Sequence, residues 1–240
     1  MQMKKMLSVL ACALISSPAL AVDIVFLYDE NNSFFTEERL GALERAASAY
    51  ESYITNDLNI IVTLDSEADM SALARGGTSI VANFQNDWKG TITFSEDHTW
   101  YSGIDESFSG IDLYSVAIHE LGHVLGVGIV NTWRNLVSGN HFYGENATSV
   151  YGGPVPLDAA GAHWLAGVES TLPGTETWQQ PSYTPALLWG TRQYLTDLDL
   201  AGLADIGWSV SSVPEPEMLY LLLSGLGIVG LAARRHRRTV

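Results

Sequence analysis

Cysteine is almost absent from this chain: Cys12 is the only one among 240 residues. It lies in an N-terminal segment that we predict to be removed on export, so the mature domain contains no thiol. Such a domain has no disulfides and no cysteine nucleophile. Its stability must come from packing and, where the fold offers sites, from bound metals.

Basic residues are also scarce, with 12 Lys and Arg against 27 Asp and Glu and a formal net charge of -15. Six of the twelve lie at the two ends of the chain, so the region between them is more acidic still. Phosphate recognition needs a basic footprint, which excludes nucleic acid as a partner. Calcium is an open option, but acidic loop residues such as Asp97 and Asp105 follow no spaced calcium motif. A solvated acidic surface is therefore the preferred interpretation.

The N-terminus has the order of features typical of a signal peptide. Lys4 and Lys5 precede an apolar run at residues 6–15, and the small-x-small sequence ALA follows at residues 19–21. Export signals combine these three features in this order. We predict that residues 1–21 are removed and that the mature chain begins at Val22.

The C-terminus has a tripartite pattern of its own. The sequence VPEP at residues 213–216 precedes an apolar stretch at 218–233 and the basic cluster RRHRR at 234–238. The stretch is slightly shorter than the roughly 20 residues of a full membrane span, and the basic cluster marks a cytoplasmic stop. The pattern resembles the PEP-CTERM sorting signal of Gram-negative bacteria. This resemblance implies transient membrane anchoring, recognition by an exosortase-like enzyme, and a final location at the cell surface or outside the cell.

Between these ends, apolar runs predict a mixed sheet with a backing helix. Residues 23–28 read as a central strand and residues 60–64 as a second strand, with further candidates at 78–82 and 91–94. A helix with one apolar face is expected after Thr36, which is suited to cap it.

A second helix is predicted at residues 112–125, with Asp112 as its N-cap and Gly126 as its terminator. Residues 128–194 are rich in Gly, Pro, Asn and Thr and show little periodicity. A closing helix at 197–206 is expected after them, capped by Thr196. The fold class is α+β, with an irregular C-terminal half.

The sequence HELGH at residues 119–123 places His119 and His123 on one face of the second helix. An i, i+4 pair turns by about 400°, so both imidazoles can share one metal. Zinc accepts three protein ligands and keeps a fourth position for water at catalytic sites. Glu120 can reach that water and act as its general base. An exposed helix face carrying two ordinary histidines is the less favoured alternative.

The stretch DLYSVAIHELGHVLG at residues 112–126 resembles the active-site helix of metzincin peptidases, the matrixins especially. In those families a third histidine follows ten residues after the first, but this position is Ile129. Two downstream histidines, His141 and His163, are candidates for the third ligand. His163 is favoured because its setting, VPLDAAGAHW at 155–164, is similar to the delayed-ligand segment of leishmanolysin-like peptidases.

Two later segments extend this resemblance. The sequence PALLWG at residues 185–190 resembles the Met-turn of that group, and residues 195–208 resemble its closing helix. The methionine expected under the zinc is absent, and Leu188 is the candidate for its place. The two side chains have similar volumes, so an apolar floor could survive.

The leading hypothesis is a zinc endopeptidase at residues 22–212 that acts on protein or peptide substrates. A catalytically inactive metzincin-like adhesin or matrix module is an alternative, supported by the missing methionine and the displaced ligand. A zinc amidase is a third, because it would use the same ligands on different amides. Against the inactive module stands Glu120, which has no obvious role in a purely structural zinc site.

Overall fold

The computed structural model describes residues 22–78 and 88–211. The predicted signal peptide and sorting segment lie outside these residues. Within the described ranges, no helix is both long enough and apolar enough to cross a membrane.

The first half of the described chain is built on a four-stranded mixed sheet. Its strands are β1 (Asp23–Leu27), β2 (Asn59–Glu67), β3 (Ala74–Thr78) and β4 (Trp88–Ser95). They lie in the order β1-β2-β4-β3. β1 and β4 run parallel to β2, whereas β3 pairs with β4 in antiparallel fashion. The predicted mixed sheet is confirmed.

The prediction of a central strand at residues 23–28 is wrong, because β1 is an edge strand. Leu27 is 51% exposed, since only one face of β1 packs against the core. A short apolar run does not indicate whether one face or both faces of the strand pack against other parts of the protein. The Glu51 carboxylate accepts a hydrogen bond from the Ile24 N–H at 2.9 Å, so this edge group is satisfied by a side chain.

The strand predicted at 78–82 overlaps β3 only at Thr78, and residues 79–87 lie outside the described ranges. β3 has the sequence ARGGT. Its two glycines and its alanine have low strand propensity, so the sequence pattern alone does not predict this strand. Its pairing with β4 supplies the stability that its own residues lack.

Two helices cover one face of this sheet. α1 (Glu37–Glu51) begins at its predicted cap, where the Thr36 hydroxyl accepts a hydrogen bond from the Arg39 N–H. α2 (Leu113–Val124) begins at the predicted cap Asp112. It lies so close to β4 that a Cβ on Gly90 would come within 2.6 Å of Val124.

The second half contains three helices and several two-residue strands. The helices are α3 (Asn131–Asn135), α4 (Glu145–Tyr151) and the predicted closing helix α5 (Asp197–Asp205). Two short strands, β5 (Trp100–Tyr101) and β6 (Ile111–Asp112), pair with each other before α2. The strands of the second half are β7 (Val137–Ser138), β8 (His141–Phe142), β9 (Val155–Pro156), β10 (Ser170–Thr171) and β11 (Trp178–Gln179). Such short elements leave no periodic signal, which is why the sequence indicates an irregular half.

An aromatic cluster forms the core of this half. The Trp133 ring lies 4.2 Å from that of Phe142 and 5.1 Å from that of Trp164, measured between centroids. Gly202 of α5 lies against this cluster, where a Cβ would come within 3.0 Å of Trp164. The packing fixes the segment that precedes Trp164 in the chain.

Candidate metal centre

Three imidazoles converge at the junction of the two halves. The Nε2 atom of His123 lies 3.1 Å from Nε2 of His119 and 3.0 Å from Nε2 of His163. Among the described residues, these three histidines are the group of His, Cys, Asp or Glu whose ligand atoms lie within 4.8 Å of one another. His141 lies exposed in β8, outside this group.

The other ring nitrogen of each histidine faces an oxygen that can only accept a hydrogen bond. Nδ1 of His119 lies 2.8 Å from the Ser182 carbonyl, and Nδ1 of His123 lies 2.9 Å from the Val127 carbonyl. Nδ1 of His163 lies 2.8 Å from Oδ2 of Asp158. Each Nδ1 therefore carries the proton, which leaves the Nε2 lone pair available.

This arrangement fits a zinc ion. The Nε2 atom of His123 lies 3.1 and 3.0 Å from those of His119 and His163, and lone pairs on atoms this close repel unless a cation lies between them. Nitrogens on one tetrahedral zinc lie roughly 3.3 Å apart, which is close to the observed spacing. Burial, together with the neighbouring imidazoles, lowers the pKa of His119 to about 3. Burial also lowers the pKa of His123 to about 4, so both rings are neutral at neutral pH, as metal binding requires.

Glu120 lies beside the histidines with one carboxylate oxygen unengaged. Its side chain is packed against Gly76 of β3, where a Cβ would come within 2.7 Å of Oε2 of Glu120. Among the described residues, that Oε2 atom has no hydrogen-bond partner. Burial raises the pKa of Glu120 to about 7, although a hydrogen bond from the Gly76 backbone opposes the shift. A carboxylate in this setting can both accept and return a proton near neutral pH.

A cleft of about 500 Å³ opens over this group. One wall is residues 71–76, which include the start of β3, and the other is residues 184–187. His119, Glu120, His123 and His163 line the cleft between the two walls. The four predicted site residues thus share one accessible surface.

The comparisons with known proteins agree with this geometry. The matrixin family model matches residues 46–146, and the model of the PEP-CTERM protein-sorting motif matches residues 212–238. The chain is thus similar to matrixins over residues 46–146 and to the PEP-CTERM motif over residues 212–238. Both resemblances seen in the sequence are thereby confirmed. No curated protein matches the chain.

The matrixin match supports a zinc metallopeptidase, and the sorting motif indicates export and sorting in a Gram-negative bacterium. The matched matrixin segment contains His119, Glu120 and His123 but ends before His163. The third histidine comes from a part of the chain that the match does not reach.

The segment beneath the histidines differs from the expectation that Leu188 takes the place of the Met-turn methionine of leishmanolysin-like peptidases. Leu188 is 69% exposed and does not line the cleft, so that assignment is wrong. Tyr183 is buried under α2 instead, where a Cβ on Gly122 would come within 2.2 Å of its ring. Its hydroxyl lies 3.0 Å from that of Tyr50, which donates to the Ile118 carbonyl.

Asp199 of α5 holds this floor in place. Its carboxylate accepts hydrogen bonds from the backbone N–H groups of Ser182, Tyr183 and Thr196. The Thr196 hydroxyl and the Trp164 indole N–H also donate to it. Burial raises the pKa of Asp199 to about 6, although the hydrogen bonds oppose the shift. The sequence shows Asp199 only as part of a helix-capping pattern, with no sign of these distant partners.

Arg192 fixes the beginning of α2. Its Nη2 atom lies 2.7 Å from Oδ1 of Asp112, and its Nε lies 3.0 Å from Oδ2. The two residues are 80 positions apart, so sequence reasoning identified Asp112 as a cap but not as an ion-pair partner. The pair ties the wall at 184–187 to the helix that carries the histidines.

Proposed function

We propose that the chain is a zinc endopeptidase, with zinc held by His119, His123 and His163 and with Glu120 as its general base. The observation that carries the proposal is the juxtaposition of three Nε2 lone pairs with an unengaged Glu120 oxygen in one cleft. The matrixin match supports the same reaction class.

When bound, zinc supplies a Lewis acid and lowers the pKa of the attacking water toward about 7. Glu120 accepts the proton of that water as its oxygen attacks the carbonyl carbon of the scissile bond. The protonated Glu120 then gives this proton to the leaving amine nitrogen as the C–N bond breaks. One water is consumed, and once its second proton has also passed to the amine, the products are a carboxylate and an ammonium group.

The cleft wall at β3 suits an extended substrate. Among the described residues, β3 pairs with β4 along one side only, and its residues Ala74, Arg75 and Gly76 line the cleft. Backbone groups at such an edge can pair with an extended peptide. This feature favours a peptide over a small amide as the substrate.

The inactive-module alternative rests on the displaced third ligand and the missing methionine. The proximity of His163 to His119 and His123 and the buried Tyr183 floor weaken both arguments. A binding module also gains nothing from a buried carboxylate with an unpaired oxygen, which costs stability.

The test is the Glu120→Ala variant of the mature chain. We expect it to bind one zinc per chain and to keep its fold, while casein cleavage falls by about 10²- to 10⁴-fold. Glu44→Ala is the control, because Glu44 is an exposed glutamate on α1. A chelator should abolish cleavage by the wild type, and zinc should restore it. Comparable turnover in Glu120→Ala would refute the mechanism, and cleavage of small amides alone would favour an amidase.

A further inference from the structure

His163 differs from the other two histidines in what its Nδ1 atom contacts. His119 and His123 each face a backbone carbonyl, whereas His163 faces the carboxylate of Asp158 at 2.8 Å. The two backbone acceptors are held by the main chain. The orientation of His163 depends instead on one side chain, which a substitution can remove.

Asp158 also closes the loop that carries His163. Its Oδ1 atom accepts hydrogen bonds from the Ala162 N–H at 3.0 Å and the His163 N–H at 3.4 Å. Its own N–H donates to the His163 carbonyl, and its carbonyl accepts from the Gly161 N–H. Residues 158–163 therefore form a closed loop in which Asp158 is hydrogen-bonded to His163 through both its backbone and its side chain.

The loop is docked against the elements that follow α2. A Cβ on Gly128 would come within 2.6 Å of the Ala162 carbonyl oxygen, so the loop lies directly on this residue. The Trp133 indole N–H donates to the Gly161 carbonyl at 2.9 Å. These contacts place the loop through Gly161 and Ala162, and neither of them involves the His163 ring.

We propose that Asp158 is the positioning residue for the third zinc ligand, and that it acts by fixing the Nδ1–H tautomer of His163. The inference rests on the proposed function in one respect, because it takes His163 as a ligand. Asp158 is surrounded by three donors: two backbone N–H groups at Oδ1 and the imidazole Nδ1–H at Oδ2. An ionised carboxylate offers acceptors only, so it matches all three.

Asparagine cannot match all three donors, since it has one acceptor oxygen and one NH₂ group. If its oxygen faces the backbone, its NH₂ faces Nδ1 of His163. Nδ1 must then accept, the proton moves to Nε2, and the lone pair that would bind zinc is lost. In Asp158→Ala the Nδ1–H tautomer of His163 can persist. The His163 side chain is 21% exposed, so water can accept the hydrogen bond from Nδ1–H.

The experiment measures zinc affinity by competition with a chelator for the wild type, Asp158→Ala and Asp158→Asn. Outer-shell partners of ligand histidines typically contribute 10- to 100-fold in metal affinity. We expect a loss of about 10-fold for Asp158→Ala and about 100-fold for Asp158→Asn. Asp205→Asn is the matched control, because the Asp205 carboxylate also accepts from two backbone N–H groups, those of Asn146 and Ala147 in α4, but contacts none of the three histidines. Its zinc affinity should stay within about twofold of the wild type.

A second readout is the ¹⁵N NMR spectrum of the zinc-free chain, which reports the tautomer of His163 directly. We expect Nδ1–H in the wild type and Nε2–H in Asp158→Asn. An Nε2–H tautomer in the wild type would overturn the proposal even if no variant folds. An Asp158→Asn affinity equal to that of the control would also overturn it. Both readouts are independent of hydrolysis, so a wild type that binds zinc but cleaves nothing refutes the peptidase and leaves this inference standing.

Discussion

Single residues decide how closely the parts of the site approach one another. Gly122, between Glu120 and His123, is an example, because a Cβ there would overlap the Tyr183 ring. Gly76 acts in the same way toward Glu120 from the opposite wall. Any larger side chain at either position would separate the helix from its neighbours, although neither position is special in the helical or strand pattern.

The identity of the third ligand is tested at this scale. We predict that His163→Ala lowers zinc affinity by more than about 100-fold, since a lost ligand should cost more than a lost outer-shell partner. His141→Ala should change it little, because His141 is exposed in β8. Zinc dissociation constants of both variants are the measurement. A large loss for His141→Ala, with His163→Ala near the wild type, would overturn the assignment.

At the scale of elements, α5 links a helix cap to the metal site. The capping box formed by Thr196 and Asp199 is a local feature that starts the helix. The same carboxylate reaches Ser182 and Tyr183 beneath the histidines and Trp164 beside His163. α5 therefore positions the floor and the third ligand together.

Replacing this carboxylate should be costly. We predict that Asp199→Asn lowers the free energy of unfolding by about 2–4 kcal/mol at pH 7, because an amide NH₂ would face buried donors. Urea denaturation of the zinc-free chain is the measurement. Asp197→Asn in the same helix is the control, since Asp197 is only partly buried and accepts one side-chain hydrogen bond, from Thr171.

We also predict how the stability of Asp199→Asn, relative to the wild type, depends on pH. The pKa of Asp199 in the folded chain, about 6, lies above its ordinary value of 3.8. The folded state therefore binds this proton more tightly, and the resulting stabilisation is present at low pH and lost as the pH rises through 6. Asparagine lacks this stabilisation at low pH. The difference in the free energy of unfolding between the wild type and Asp199→Asn should therefore increase by about 1–2 kcal/mol from pH 7 to pH 5. A difference in the free energy of unfolding that stays constant between pH 7 and pH 5 would contradict a raised pKa of Asp199.

At the scale of the whole molecule, the site forms only when the two halves dock. α2 supplies two histidines and Glu120, whereas the second half supplies His163 and the Tyr183 floor. The end of the described chain returns to the first half, where Val210 bridges Ile54 and the Ser211 N–H donates to the Tyr53 carbonyl. Both of these closing contacts are made by residues that the shorter chain, ending at residue 212, retains.

We therefore predict that a mature chain ending at residue 212 is soluble, binds zinc and melts at the same temperature as the longer chain. The apolar stretch at 218–233 is the proposed anchor, so the chain that retains it should be found in the membrane fraction. Cell fractionation of the two chains is the measurement. Membrane association of the shorter chain would refute the anchoring role of the tail.

Much of this architecture is predictable because it depends on neighbours in sequence. The caps Thr36, Asp112 and Thr196 act within one helical turn, and the three helices that they begin were all expected. The pair His119 and His123 follows from helical spacing alone. His163 could be favoured only through a family resemblance, since no local rule connects it to a histidine 40 residues earlier.

The amino-acid sequence by itself determined the mixed α+β character, the helix that carries HELGH, and the acidic, thiol-free composition of residues 22–212. Tertiary structure decided that β1 is an edge strand, that Tyr183 rather than Leu188 lies beneath the histidines, and that Asp158, Asp199 and Arg192 hold the site together. The physical reason is the distance in sequence between the residues that make each contact. Caps and periodic faces depend on contacts within a few residues, whereas Asp112 and Arg192 meet across 80 positions and depend on the path of the whole chain.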